Sequence, residues 1–263
     1  LKPNRLLLSC AANFSSVKEI ENAYSFFRDQ IVIYTPNAQE PNPQNEFWMN
    51  YSLHMMQENP NMKHAVLQLM NSLGLRIKDI DVQIEKKTLS QDGIDLPIFL
   101  SDEFKQALLQ SEMDSIKARV VYDQFDTDLI HEESTGVRKL FSFLCPLIDI
   151  IINGKILICD EIETGLHESL VQGIIRLFMT TLSDATAQLF FTTHDTSLLD
   201  LDIFRRDQIW FTELNNFDRS TELYSLSEIK NVRKDEKFGR GYISGKYGAI
   251  PMLNLNFSSI ISQ

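Results

Sequence analysis

The stretch ILICDE, residues 156–161, admits few folds. Four consecutive apolar residues read as a strand covered on both faces, which is the habit of parallel sheets. Asp160 and Glu161 follow at its C-terminal end, the edge where open α/β sheets bind ligands. Burying one carboxylate there is costly unless a cation or hydrogen bonds compensate, and two adjacent ones cost more. A second apolar strand, residues 188–193, leads into His194 and Asp195, and His194 lies 33 positions after Glu161. Residues 168–182 between them have helical periodicity. Strand, helix, strand makes the two strands parallel neighbours joined by a right-handed crossover, so both polar ends open on one edge of the sheet.

Magnesium is the natural partner of such carboxylates, because it takes hard oxygen ligands and keeps several waters. In that reading Asp160 holds Mg²⁺, directly or through water, and Glu161 polarises the water that attacks a γ-phosphate. His194 hydrogen-bonds that phosphate or orients the water. The plainer alternatives are a solvated Asp-Glu turn and a structural histidine. Upstream, residues 133–140 (ESTGVRKL) start a helix. Ser134 and Gly136 present a hydroxyl and backbone N–H groups at its N-terminus, which suits an anion, and Arg138 and Lys139 add positive charge. An ordinary N-cap is the alternative there.

The remaining chain supplies an α/β frame. Residues 4–11 are apolar, a strand or a buried helical turn. Ser16 reads as an N-cap with Glu19 completing a capping box, and residues 17–30 as helix. Residues 31–34 are a short strand, and the proline-rich segment 36–44 is a loop. Residues 47–73 read as helix broken at Asn59-Pro60, with a methionine-rich stripe read as core. Residues 77–86 alternate as a half-exposed strand, 101–116 read as helix, and 118–122 as a short strand before the acidic stretch 123–133. The segment 134–152 reads as helix stopped at Asn153-Gly154. Residues 207–212 and 222–226 add a third and a fourth strand.

A net charge of −11 makes the chain a poor general binder of nucleic acid, because it repels phosphate at long range. No run has the roughly 18 apolar residues a membrane-spanning helix requires, and no signal peptide is visible, so the expected setting is cytoplasmic. Cys10, Cys145 and Cys159 show no paired spacing and read as small residues in a reducing compartment. The most basic part, with Lys230, Arg233, Lys234, Lys237, Arg240 and Lys246, reads as a solvated face balancing an acidic domain.

In this order, ESTGVRKL, then ILICDEIETGLH, then LFFTTHD resemble the signature, Walker B, D-loop and His-switch segments of ABC-type ATPases. The form DEIETGLH, with His167 where transporters usually have Asp, is similar to the branch of RecF-like and SMC-like proteins and the overcoming-lysogenization-defect nucleases. Residues 204–211 (FRRDQIWF), 221–226 (TELYSL) and 241–251 (GYISGKYGAIP) resemble the tail of bacterial AAA-family ATPases of that branch. The resemblance is specific over residues 133–251 and covers only the general layout before 130.

The resemblance implies an α/β P-loop NTPase of the ABC-type head class, with a parallel sheet core and a helical insertion. Residues 1–130 would be that insertion and lobe-connecting segment, and 131–263 the C-terminal lobe. It implies ATP and Mg²⁺ as cofactors. Ser134, Thr135, Gly136 and Arg138 would face ATP bound on an opposite subunit. Asp160 would serve the metal, Glu161 would be the general base and His194 the switch histidine. Residues 164–167, bounded by Thr164 and His167, would lie at a dimer interface. The implied protein is an ATP-sandwiched homodimer or higher oligomer in bacterial anti-phage defence, restraining a toxic effector such as a nuclease. Rival readings are a DNA-repair or chromosome-type ATPase, against which the lack of sustained heptads counts, and a non-hydrolysing scaffold. One departure is large. No G-x-x-x-x-G-K-[ST] occurs, and the two Gly-Lys pairs, 154–155 and 245–246, precede neither Ser nor Thr. Either the lobe bearing that loop precedes this segment, as the opening Leu1 suggests, or another chain supplies it, or hydrolysis has been lost.

Overall fold

A β-branched run favours extended backbone, and Ile31–Tyr34 forms strand β1. The computed structural model describes residues 17–36, 43–88, 112–180, 186–215, 218–230, 232 and 236–250, which form two compact units, Leu1–Thr192 and Thr193–Gln263. The readings at residues 4–11 and at Ser16 lie outside the described residues. Ahead of β1, helix α1 (Lys18–Ser25) passes into one wider turn, Phe26–Gln30. Val17 is the N-cap residue of this helix, with no side-chain cap. Glu19 and Glu21 in the first turn instead meet the positive end of the helix dipole.

Helices α2 (Pro43–Glu58) and α3 (Pro60–Ser72) divide where expected. The side chain of Asn59 accepts from the N–H groups of Asn61 and Met62, both at 3.1 Å, while Pro60, which has no N–H to satisfy, opens the helix. Helix α2 starts at Pro43, inside the segment 36–44 read as loop, and residues 37–42 lie outside the described residues. Met56, Met62, Val66 and Met70 are buried, so the methionine stripe is core.

Strand β2 (Asp79–Thr88) pairs antiparallel with β3 (Glu112–Val121), and β3 with β4 (Asp126–Asp128). The helix expected over 101–116 is corrected: residues 112–116 belong to β3, and 101–111 lie outside the described residues. Ile116, Ala118 and Val120 alternate with polar residues, and Ala118, Val120 and the partner Ile80 are buried. A ten-residue ladder with one buried face outweighs a helix-like start.

Helix α4 (Thr135–Ile152) is buried at every position from Leu140 to Leu147. A helix apolar all round belongs in a core. Pro146 lacks the N–H that would bond the carbonyl of Ser142 one turn earlier. The buried hydroxyl of Ser52 on α2 donates to that carbonyl at 2.9 Å. The helix stops at Asn153, and Gly154 follows at φ 63°, a left-handed conformation glycine adopts without strain.

Strand β5 (Ile156–Cys159), helix α5 (Glu168–Thr180) and strand β6 (Gln188–Phe191) follow. The parallel sheet has the order β1-β5-β6, with Tyr34 opposite Cys159 and Cys159 opposite Phe191. One face is packed: Tyr34, Leu157 and Cys159 are buried, and Tyr34 stacks on Trp48 at 4.4 Å and meets Phe143 at 5.3 Å. The expectation of cover on both faces is corrected, because Ile33, Ile158 and Phe190, in register across the three strands, are 57%, 38% and 57% exposed.

In the second unit, β7 (Trp210–Leu214) and β8 (Thr221–Ser225) form an antiparallel pair rather than third and fourth parallel strands. Helix α6 (Phe238–Ile243) follows. Phe211 stacks on Tyr242 at 5.6 Å and on Tyr247 at 6.0 Å, over a core shared with Ile209, Leu226 and Phe238. Gly241 is required there, since a Cβ would sit 2.6 Å from the Tyr247 hydroxyl. The glycine-rich tail motif thus builds the core of this unit. Lys246 pairs with Glu236 at 2.6 Å.

Candidate functional site

The parallel register places the residue after β5 beside the residue after β6, so Asp160 and Thr192 are neighbours at the C-terminal edge of the sheet. The Thr192 hydroxyl donates to Asp160 Oδ1 at 2.6 Å, and its oxygen, Thr192 Oγ1, accepts the Glu161 N–H at 2.8 Å. Backbone bonds reinforce the corner: Asp160 N–H reaches the Tyr34 carbonyl at 3.0 Å, and Ile162 N–H the Thr192 carbonyl at 3.1 Å. One oxygen of Asp160 is thereby fixed, and Oδ2 remains on an exposed residue at the sheet edge. A carboxylate so held suits a hydrated divalent cation, which needs few protein ligands when phosphate and water supply the others. Among the described residues no group of three or more His, Cys, Asp or Glu forms a protein-only metal cage, so the donor set fits Mg²⁺ bound chiefly through a substrate.

Glu161 has φ 46°, a left-handed conformation unusual for a residue with a Cβ. The chain turns sharply there, from strand into the loop 161–166. The Thr164 hydroxyl lies 3.5 Å from Glu161 Oε2, a long contact. His167 caps α5: its Nδ1 accepts the Ser169 N–H at 3.2 Å and lies 2.8 Å from the Ser169 hydroxyl. An accepting Nδ1 puts the proton of the neutral ring on Nε2.

At the start of α4, Ser134 is the N-cap, its hydroxyl accepting the Val137 N–H at 3.2 Å. Ser134 and Thr135 are exposed, which leaves this helix end open to an anion. Arg138 is turned back into the fold, donating to the Ile130 carbonyl at 2.8 Å and lying 3.4 Å from Thr135 Oγ1. The preceding loop is tied by Glu133, which accepts from the Tyr122 hydroxyl at 2.8 Å and the Thr127 hydroxyl at 2.5 Å. Burial, and then the bond to Glu133, push the Tyr122 hydroxyl up to about 12.

Gly136 and Gly165 bring α4 and the loop 161–166 together. A Cβ on Gly136 would lie 3.4 Å from the Gly165 carbonyl oxygen, and one on Gly165 would lie 3.4 Å from Lys139 Cδ. Lys139 Nζ is buried and has no hydrogen-bond partner. Burial brings its ammonium down to about 8, although Cys159 and Glu163 attract the charge. Burial also raises the Cys159 thiol to about 12.

The first unit therefore joins Asp160, Glu161 and Thr192 at the end of β5, and brings Gly136 of α4 against Gly165 of the loop that carries Thr164. His194 is exposed and belongs to the second unit, two positions beyond Thr192. Sequence reasoning missed Thr192 as a site residue, although its place in the adjacent strand was the available signal. It also read Lys139 as positive charge for an anion at the helix start, whereas its ammonium is buried.

A family described as AAA domain, putative AbiEii toxin, Type IV TA system matches residues 25–200. The match runs from α1 through β6 and includes every residue of the constellation. No curated protein matches the chain. Among the described residues no helix is long and apolar enough to cross a membrane.

Proposed function

The chain belongs to this AAA-domain family, whose members are P-loop ATPases that as a class bind ATP with Mg²⁺, and on that premise we propose that it is the C-terminal part of an ABC-type ATPase head working as an ATP-driven switch. The observation that carries the reading is the triangle of Asp160, Glu161 and Thr192 at the C-terminal edge of a parallel sheet. Asp160 would hold the hydrated cation through Oδ2, with Oδ1 kept by Thr192. When bound, Mg²⁺ neutralises charge on the phosphates. Glu161 accepts a proton from water at its carboxylate, and the Thr192 bond to its backbone fixes where that carboxylate starts. The loop that cradles the β- and γ-phosphates is absent from these 263 residues, so hydrolysis depends on a segment or chain that supplies it.

Two heads would close on ATP, with Ser134, Thr135 and Gly136 of one meeting nucleotide held by the other, near residues 164–167, and His194 would serve as the switch histidine. Contacts to the γ-phosphate exist only in the closed state, so cleavage releases the pair. The family's description, with its toxin and toxin–antitoxin system, supports a cytoplasmic defence setting in which the switch restrains a toxic effector such as a nuclease.

The test is Glu161→Gln in the ATPase carrying its phosphate loop. Steady-state hydrolysis should fall about 100-fold or more, while ATP-bound dimers accumulate in light scattering. Hydrolysis at the wild-type rate would remove Glu161 as the base. A wild-type protein that binds ATP without turnover would leave the scaffold reading.

A further inference from the structure

An ammonium hidden from water without a hydrogen bond is a costly choice where a methionine would fill similar space. Lys139 Nζ is such a group. It sits at the start of the second turn of α4, one turn beyond Thr135. Its stem lies against the loop at Gly165, whose added Cβ would be 3.4 Å from Lys139 Cδ and 4.0 Å from Nζ. The charged and titratable groups that face it are Glu163, within the same loop, and Cys159, at the end of β5. Glu163 Oε2 is itself buried. The attraction therefore runs between the helix that carries Ser134 and the loop that begins with Glu161. Glu161 holds a left-handed turn that needs support from its surroundings.

We propose that Lys139 is a positioning residue whose buried ammonium ties the N-terminal part of α4 to the loop 161–166, so that displacement at Ser134–Gly136 is passed to Glu161. It touches no nucleotide. For its catalytic consequence the idea rests on the function proposed above; for its structural content it does not.

The experiment uses the ATPase with its phosphate loop, as wild type, Lys139→Met and the double variant Lys139→Met/Glu163→Gln. Amide hydrogen exchange without nucleotide reads the loop directly. In Lys139→Met, the peptide covering residues 160–167 should exchange about tenfold faster, with peptides from β5 and α5 unchanged. Unchanged loop exchange, or equal acceleration throughout the unit, would overturn the proposal. Kinetics give the second arm. Both variants should lose about tenfold in kcat with KM within about threefold. The double variant, which removes the buried Glu163 charge together with the lysine, should recover the Tm lost by Lys139→Met. Recovery of kcat together with Tm would mean Lys139 only balances charge, and would also overturn it. If the wild type does not hydrolyse ATP, the functional reading fails alone, and the exchange result still decides on Lys139.

Discussion

At the residue scale, Lys139 makes a pH-dependent contribution whose sign can be worked out. Its folded value of about 8 lies below the ordinary lysine value of 10.5. Below pH 8 the side chain is charged in both states, and the folded state carries the full burden of burying it. Between about 8 and 10.5 the unfolded chain binds the extra proton, so stability rises with pH. Other groups oppose this, since burial holds Cys145 and Cys159 up to about 12. The difference between wild type and Lys139→Met isolates the lysine. That difference should shift in favour of wild type as pH rises from 8 to 10, in urea unfolding at each pH, and stay flat from 6 to 7.5. The same residue shows why the site was only partly legible. Asp160 and Glu161 announce themselves because carboxylates after an apolar strand are chemically odd. Lys139 reads as positive charge for an anion at the helix start, since nothing in the sequence tells which side of α4 meets a loop more than twenty positions away.

At the scale of elements, periodicity located α2, α3, α4 and both strands of the β5–β6 pair, and turn chemistry at Asn59-Pro60 and Asn153-Gly154 set their ends. It failed on β3, where alternation decided by pairing with β2 competes with a helix-like rhythm. It also placed β7 and β8 in the wrong sheet, because an apolar strand does not name its partner. The bond between Ser52 and Ser142 is a further case, joining two serines 90 positions apart to repair a gap made by Pro146. Ser52→Ala should therefore lower stability by about 1–3 kcal/mol, as a buried carbonyl loses its only repair. In Ser52→Ala/Pro146→Ala the helix regains an N–H at position 146, and most of the loss should return. Chemical denaturation of the four members of that cycle measures the coupling.

At the scale of the whole molecule, the proposed assembly turns on an exposed helix end. Ser134→Arg should raise the dissociation constant of the ATP-dependent dimer at least about tenfold while leaving nucleotide binding by the single subunit intact. An arginine also removes the N-cap, which costs about 1 kcal/mol. Ser134→Asp separates the two effects, because it keeps the cap and repels phosphate. It should weaken the dimer as strongly, with Tm at or above wild type. Dimer formation by light scattering and nucleotide binding by fluorescence read the two variants. Loss of binding in the isolated subunit would put Ser134 in the subunit's own nucleotide site.

The left-handed turn at Glu161 has a consequence for descent. A side chain in that conformation costs about 1 kcal/mol or more that glycine would not. Fold stability alone therefore favours replacing Glu161, and only its carboxylate argues for keeping it. A lineage that stopped needing the carboxylate would drift at this position towards glycine or asparagine and become more stable as it did so. Glutamate at the bend is thus a marker, readable in any related sequence, of a chain still under selection for chemistry.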